Sequence, residues 1–323
     1  MNFISTISKF ALLAILATGF VACSDDDEAG DIIVPSNSIV DFVADNDDYS
    51  SLAAALEVAG LTASLDGNAN YTVFAPNNAA FNAFLSANGF DSLDDVPEDL
   101  LREVLLNHLQ SGEIMASDLS TGYISSMATG MASEDPLSLY INTEDGVMIN
   151  GMAEVTNADI EVDNGVIHAV DAVIGLPSIV DFATADPTFE ILVQALTRED
   201  EFTFVETLQM TEDPAPFTVF APTNDAFVAL LEELELSGLG DIPTETLSAV
   251  LRYHVVAGAN VRSGDLSDDM MVETLHGDSF TVNLGDAVTI TDARDRTATV
   301  IAADVQANNG VIHVLDTVIL PAE

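Results

Sequence analysis

Histidine is the side chain best suited to acid–base catalysis and to zinc binding, and four of the five histidines recur at matching positions in two halves of the chain. His108 and His254 each end an amphipathic stretch, and His168 and His313 each lie in an apolar stretch near the end of their half. No HExxH or His-x-His pattern accompanies them, and the one cysteine stands far away at position 23. We therefore expect four structural histidines that bond neighbouring carbonyls or hydroxyls, with catalysis or metal binding as the less favoured alternative.

Other catalytic and nucleotide-binding patterns are missing from the sequence. There is no GxSxG elbow, no phosphate-binding loop and no GxGxxG fingerprint. The 54 acidic residues would allow many glycosidase-like carboxylate pairs, so none can be singled out, and a solvated acidic surface explains most of them. The sequence thus offers no catalytic residue and implies no cofactor.

Calcium is a separate question, because two segments hold the oxygen ligands that this ion prefers. They are residues 45–48, Asp-Asn-Asp-Asp, and residues 66–68, Asp-Gly-Asn. Neither has the spacing of a calcium loop of the D-x-[DN]-x-[DN]-G type with its later glutamate. We expect weak, diffuse cation binding and no dedicated metal site.

Residues 1–22 have the pattern of a secretory signal peptide. Lys9 precedes an apolar run, residues 10–19, that is shorter than the about 20 residues needed to span a bilayer. The run leads to Phe-Val-Ala-Cys, which is similar to the bacterial lipobox in which the cysteine, here Cys23, becomes the acylated N-terminus. The acidic residues 23–35 predict a flexible tether and resemble a surface-export signal of outer-membrane lipoproteins. The alternative is a soluble secreted protein with an incidental thiol.

The rest of the chain contains one pattern twice. YTVFAPNNAAF at 71–81 returns as FTVFAPTNDAF at 217–227, and NGVIHAVDAVIGLP at 164–177 returns as NGVIHVLDTVILP at 309–321. We place two domains at 36–177 and 178–321, each near the usual size of a globular domain. With so short a connection between them, we expect their relative orientation to be restricted.

Local patterns indicate an α+β fold for each copy. Helical periodicity leads into a strand rich in β-branched and aromatic residues that stops at Pro76 or Pro222, after which a helix begins. A second amphipathic helix starts at Pro97 or Pro243 and ends at the histidine. Alternating runs then predict antiparallel strands, and the NGVIH segment predicts a last strand.

In their order and spacing these motifs resemble the fasciclin (FAS1) domain family in both halves, over roughly residues 36–321. The resemblance implies tandem FAS1 domains, each a β-sandwich or wedge with packed helices, acting as a cell-surface or matrix adhesion module and not as an enzyme. It also places architectural histidines at the four positions above. The adhesive determinants of such domains resemble the loop after TVFAP and the Asp of the closing strand, which map here to Asn77, Asn78, Asp171, Thr223, Asn224 and Asp316.

A structural role is the open alternative for these six residues. Asn77 and Thr223, or else Asn78 and Asn224, are natural helix N-caps. The two aspartates can equally satisfy backbone or side-chain donors beside the strand. Elsewhere in the first copy, we interpret the methionines as core residues that fill gaps: Met115, Met127, Met131, Met148 and Met152.

The charge balance excludes one class of partner. Seven basic residues face 54 acidic ones, a net charge of −47, so the chain repels nucleic acid. Acidic chains almost free of Lys resemble proteins of salt-loving organisms, and we expect the fold to need high salt. Taken together, these features of the sequence predict a lipid-anchored adhesion protein that binds cells, matrix or polysaccharide. The alternatives are a surface module that captures a small apolar or sugar ligand and, third, a glycan hydrolase.

Overall fold

A computed structural model describes residues 37–67 and 69–323. The predicted signal peptide, Cys23 and the predicted tether lie outside these described residues, as does Asn68 of the second candidate calcium segment. Within the described ranges, none of the helices has the length and apolar character needed to cross a membrane.

The first domain contains five α-helices and seven strands among its described residues. The helices are α1 (Ile39–Asp45), α2 (Ser50–Val58), α3 (Thr62–Leu65), α4 (Asn78–Ala87) and α5 (Glu98–Leu106). The strands are β1 (Tyr71–Pro76), β2 (Leu109–Ser111), β3 (Gly122–Thr129), β4 (Pro136–Asn142), β5 (Met148–Ile149), β6 (Ala153–Val162) and β7 (Gly165–Val170).

The second domain repeats this element order. Its helices are α6 (Ile179–Ala185), α7 (Glu190–Leu196), α8 (Phe204–Leu208), α9 (Asn224–Glu233) and α10 (Thr244–Tyr253). Its strands are β8 (Phe217–Pro222), β9 (Val255–Ala257), β10 (Met270–Glu273), β11 (Ser279–Leu284), β12 (Val288–Thr291), β13 (Thr297–Ala307) and β14 (Gly310–Leu315).

Local sequence determines where the helices begin. Ser38 and Ser178 cap α1 and α6 through capping boxes with Asp41 and Asp181, in which each serine hydroxyl accepts from the aspartate backbone and each aspartate carboxylate accepts from the serine backbone. Helices α5 and α10 begin directly after a proline, which supplies the N-cap position. These starts agree with the predicted ones to within a residue.

Each domain has a seven-stranded sheet, in the order β2-β1-β7-β6-β5-β4-β3 and β10-β11-β12-β13-β14-β8-β9. The NGVIH strand lies inside the sheet and runs parallel to the TVFAP strand, in register from Tyr71 opposite Gly165 to Pro76 opposite Val170. The second domain repeats this pairing between β14 and β8. In each domain the two repeated motifs therefore lie side by side in the sheet, and the residues that follow the two strands leave the sheet next to one another.

The long strand β6 links two parts of the first sheet. Its first residues pair with β5, and the rest pairs with β7 across two register shifts. Bulges of this kind bend a strand and increase its twist. One apolar core lies between the sheet and the helices, and a second includes Phe74, Leu139 and Ile149. The predicted α+β fold with two tandem domains is confirmed.

The two domains share part of their packing. Tyr140 of β4 belongs to the same buried cluster as Phe182 of α6. The half-buried Tyr123 packs edge-to-face on Phe182, with 5.6 Å between ring centroids, and its hydroxyl donates to Asp186 at 2.9 Å. Burial and the Asp186 carboxylate raise the pKa of Tyr123 well above its usual range, so the hydroxyl keeps the proton that it donates.

Polar contacts extend this interface. Arg262 pairs with Asp135 at 3.1 Å, and the backbone N–H of Gln306 donates to the hydroxyl of Ser138 at 3.0 Å. The backbone and side chain of Asn308 accept from Ala132 and Met131, respectively. A shared apolar core with bonds around it restricts the relative orientation of the domains.

Candidate functional site at the end of the central strands

The six predicted binding residues gather at one edge of each sheet. Because β1 and β7 run parallel and end opposite one another at Pro76 and Val170, Asn77 and Asp171 leave the sheet at the same edge. In the second domain Thr223 and Asp316 follow β8 and β14 in the same way, and the Thr223 backbone N–H donates to Leu315 at 3.1 Å. We call this the carboxyl edge of each domain.

The first residue after each TVFAP strand is a helix N-cap. The Asn77 side chain accepts from the Ala80 backbone at 2.9 Å, and the Thr223 hydroxyl accepts from the Ala226 backbone at 3.2 Å. Each cap satisfies one of the free N–H groups at the start of α4 or α9. Of the two cap positions that the sequence left open, the structure selects Asn77 and Thr223.

The next residue bridges two helices. The Asn78 amide accepts from the Ser51 backbone and donates to the Asp47 carbonyl, both at 2.8 Å. Asn224 makes the same pair of bonds, with the Ile191 backbone and the Pro187 carbonyl. These amides join the start of α4 or α9 to the start of α2 or α7.

Asp171 and Asp316 bond to the backbone near the start of the long strand of each domain, β6 or β13. The exposed Asp171 carboxylate accepts from the Glu154 backbone at 2.8 Å, and the exposed Asp316 carboxylate accepts from the Thr299 backbone at 2.7 Å. Exposure leaves both carboxylates accessible to a partner while they hold the strand. A role in adhesion for these six residues stays a prediction, and their intramolecular bonds show a structural role beside it.

His108 and His254 lie at equivalent buried positions behind the carboxyl edge. Nδ1 of each ring lies 2.7 Å from a carbonyl one helical turn earlier, Val104 or Val250, and therefore donates. Nε2 accepts from a backbone N–H after the last strand, at Ile174 or Ile319. Burial lowers the pKa of each ring to about 4.

In His168 and His313 the roles of the two ring nitrogens are exchanged, so that Nε2 donates to a carbonyl and Nδ1 is the acceptor. Nε2 of each lies 2.9 Å from a carbonyl of the segment after the short second strand, Ile114 or Val261. Nδ1 of His168 accepts from Asp159, a residue with φ of 58° in the bulge of β6. His168 thus joins its strand to the segment after β2 and to the bulge of β6, and its ring also lies 5.7 Å from the Phe74 ring.

Both nitrogens of His108 and His254, and both of His168, are engaged by the backbone, which leaves no lone pair for a metal. In residues 37–67 and 69–323, no group of three or more His, Cys, Asp or Glu is placed to hold a metal ion. In the first candidate calcium segment, the Asn46 amide donates to the Phe42 carbonyl and helps to end α1.

The interpretation of the methionines as core residues is wrong for three of the five. Met131 is 69% exposed, Met152 55% and Met127 37%, and Met115 and Met148 are only half-buried. The spacing of these methionines along the chain follows neither a continuous helical nor a continuous strand period, so their burial could not be predicted from the sequence.

One further equivalent pair of residues, Asn164 and Asn309, was not singled out from the sequence. The buried Asn164 accepts from the Ile39 backbone and donates to the Leu65 carbonyl, and Asn309 does the same with Ile179 and Leu208. Each amide ties the first and third helices of its domain to the turn before the last strand. The repetition of Asn in both NGVIH motifs was the available signal.

A match to a protein family agrees with this architecture. The fasciclin domain model matches the chain twice, over residues 47–177 and 187–321. The chain therefore belongs to the fasciclin domain family.

Relatives are found in bacteria and animals. Protein sll1483 of Synechocystis sp. is 39% identical over 176 residues, which cover 53% of this chain and 89% of that protein. Transforming growth factor-beta-induced protein ig-h3 of Sus scrofa is 28% identical over 260 residues, which cover 80% of this chain and 35% of that protein. A solved FAS1 domain pair from the insect cell adhesion molecule Fasciclin I is 19% identical, with a TM-score of 0.49 over 87% of this chain and 95% of that chain.

Proposed function

We propose that this protein is a cell-surface adhesion protein that binds other cells, extracellular matrix or polysaccharide. The observation that carries the proposal is membership of the fasciclin family over both domains, since proteins of this family are generally adhesion-related and not enzymes. The carboxyl edge of each domain is the proposed contact surface, because it presents an exposed carboxylate, Asp171 or Asp316, on a rigidly bonded frame. The net charge of −47 supports partners other than nucleic acid, because the chain repels a phosphate backbone.

Attachment to the outer membrane through an acyl chain on Cys23 is the second part of the proposal. Its support is the sequence pattern of residues 1–23 alone. Cys23→Ser should release the protein from the membrane fraction into the medium or periplasm. Protease treatment of intact cells tests the outward orientation: digestion before lysis supports it, and protection until lysis contradicts it.

Adhesion is tested with beads that carry the protein, offered to cells and to a glycan panel in molar NaCl. The discriminating variant is Asp171→Asn with Asp316→Asn, since asparagine keeps the acceptor oxygen but removes the charge. The control is Asp91→Asn with Asp286→Asn, which makes the same charge change at two exposed positions elsewhere. We expect saturable attachment that falls at least tenfold in the first variant and is unchanged in the second.

Two results would contradict this function. If the folded protein does not attach to any cell or glycan, the proposal of an adhesion function is contradicted. If both variants attach equally well, the carboxyl edge is not the contact surface.

Capture of a small ligand is the second candidate function, and one observation favours it. A cavity of about 140 Å³ lies between the sheet and the first three helices of the second domain. A glycan hydrolase is less well supported, because among the described residues this cavity is lined by no Asp or Glu.

A further inference from the structure

The two domains differ in how completely the space between the helices and the sheet is filled. In the second domain, a cavity of about 140 Å³ lies among α6, α7, α8 and β8. In the first domain, the equivalent space among α1, α2, α3 and β1 amounts to about 10 Å³. The lining residues correspond pairwise, including Ile39 with Ile179 and His108 with His254.

In two of these pairs the side chain of the second domain is smaller than its counterpart in the first domain. Val43 of α1 corresponds to Ala183 of α6, and Leu109 of β2 corresponds to Val255 of β9. Each change removes one or two carbon atoms from the wall, and protein cores relax only partly around such deletions. The third helix is also connected differently, since residues 197–203 precede α8 but only residues 59–61 precede α3.

Every polar side chain in the wall of the cavity is already satisfied. Both ring nitrogens of His254 bond to the backbone, and burial holds the pKa of this ring at about 4, so it is neutral. The hydroxyls of Thr184 and Thr197 donate to the Val180 and Val193 carbonyls of their own helices, each at 2.8 Å. The other lining residues are Ala, Val, Leu, Ile and Phe.

The chemistry of this wall selects among ligands. A sugar or a carboxylate would lose hydration on entry and find no free donor and no cation, which is costly, and the hydroxyl oxygens of Thr184 and Thr197 that could still accept belong to exposed residues. A hydrocarbon loses nothing of this kind and gains from leaving water. An apolar cavity of about 150 Å³ in another protein stays dry and binds benzene or xenon, so the size here suits one ring or a short alkyl chain.

The cavity has a way in from the surface. Thr184 and Thr197 are exposed, while Val180, Val193 and Val205 are half-buried. These residues belong to α6, to α7 with the residue after it, and to α8, so the opening lies where the three short helices meet. A ligand of the stated size would enter between these helices.

We propose that the second domain binds a small uncharged hydrocarbon, an aromatic ring or a short alkyl chain, in the cavity beneath α6, α7 and α8, and that the first domain does not. This inference rests on the second candidate function and narrows its ligand from apolar or sugar to apolar. It is independent of adhesion at the carboxyl edge, which lies on different residues.

The test is a titration of the protein with benzene, followed through the methyl signals in NMR spectra recorded in molar NaCl. We expect saturable shifts at Ala183, Leu192 and Val205. The matching methyls of Val43 and Leu52 in the first domain serve as a control within the same molecule, and we expect them not to shift. No saturable shift in the second domain, or equal shifts in both domains, would overturn the proposal.

Filling variants test the position of the ligand. Ala183→Val and Val255→Leu, singly and together, restore the side chains of the first domain. We expect benzene binding to weaken at least tenfold in the double variant while the melting temperature stays at or above that of the parent, because a void is filled. If the double variant does not fold, the single variants serve, and unchanged benzene affinity in a folded variant contradicts the proposed site. Adhesion of the beads should be the same in all of these variants, so failure of one function is distinguishable from failure of the other.

Discussion

His108 and His254 contribute to stability as neutral rings that join a helix end to the segment after the last strand. Each donates to the carbonyl of Val104 or Val250 and accepts from the backbone of Ile174 or Ile319. Protonation would remove the acceptor nitrogen and place a charge in the core, which is why burial lowers the pKa of both rings to about 4. The fold therefore depends on the deprotonated state of two side chains.

The pH dependence of stability follows from these values. Below pH about 6.5 the unfolded chain binds protons at His108 and His254, whereas the folded protein does not until about pH 4. The stabilisation is thus complete above pH about 6.5 and is lost as the pH falls toward 4, by roughly 3 kcal/mol for each ring. Urea unfolding at several pH values between 7 and 4.5 measures this loss.

His254→Gln separates this contribution from that of the many carboxylates. The variant should be less stable at pH 7, but its unfolding free energy should fall less steeply as the pH is lowered. The slope of that free energy against pH gives the number of protons taken up on unfolding, and we expect this number to be smaller by up to one. The carboxylates are common to both proteins and cancel in the comparison. An unchanged pH slope would show that His254 is not the neutral, buried group described above.

At the scale of elements, the central parallel pair depends on the absence of a side chain at one position. A Cβ on Gly310 would overlap the Phe217 carbonyl, and one on Gly165 would overlap the Tyr71 carbonyl. In both domains this glycine begins the NGVIH strand, where the backbone of the TVFAP strand approaches most closely. The glycine of the repeated motif is therefore a packing requirement.

Gly310→Ala should destabilise the protein by about 3 kcal/mol or more, because backbone atoms cannot give way as a flexible side chain can. Gly264→Ala is the matched control, since a Cβ at that position meets nothing within 4 Å. Chemical unfolding of the two variants compares them. Similar stability of both would mean that the two strands are not as closely apposed as the register requires.

At the scale of the whole molecule, the two domains are coupled through a shared contact surface. Tyr123 and Tyr140 pack with Phe182 of the next domain, and Arg262 reaches Asp135. Exposed ion pairs contribute little, so the aromatic cluster and the buried hydroxyl of Tyr123 contribute most of the coupling.

Calorimetry tests this coupling. We expect the parent protein to unfold in one transition and Tyr123→Ala with Arg262→Ala to unfold in two, since these changes remove the ring contact with Phe182, the bond to Asp186 and the ion pair with Asp135 and leave only the weaker part of the interface. Arg252→Ala is a control of equal charge change, because that guanidinium bonds within its own helix, to Ser248. Two transitions in the parent would contradict strong coupling, and a single transition in the double variant would show that Tyr123 and Arg262 do not supply it.

The net charge of −47 also acts on the whole molecule. Six arginines and one lysine cannot neutralise 54 carboxylates, and the repulsion acts over about 10 Å at 0.1 M salt but only about 3 Å at 1 M. We expect the melting temperature to rise between 0.1 M and molar NaCl. A melting temperature that is independent of NaCl would contradict the predicted need for salt, and the same series in sucrose controls for effects that are not electrostatic.

The sequence by itself determined the tandem fasciclin domains and the helix that follows each TVFAP strand, and it predicted a structural role for the four histidines. These follow from local periodicity, from capping residues and above all from a motif set that occurs twice. The sequence also limited the partners, because composition alone sets the net charge.

Only the tertiary structure decided which groups face one another. The NGVIH strand pairs in parallel beside TVFAP, far away along the chain, and this pairing brings Asn77 to Asp171 and Thr223 to Asp316. The exposure of the methionines, the particular contacts between the domains and the cavity of the second domain could likewise not be predicted from the sequence. Each depends on how volumes from distant segments fit together, and a difference such as Ala183 for Val43 acquires its meaning only once the surrounding wall is known.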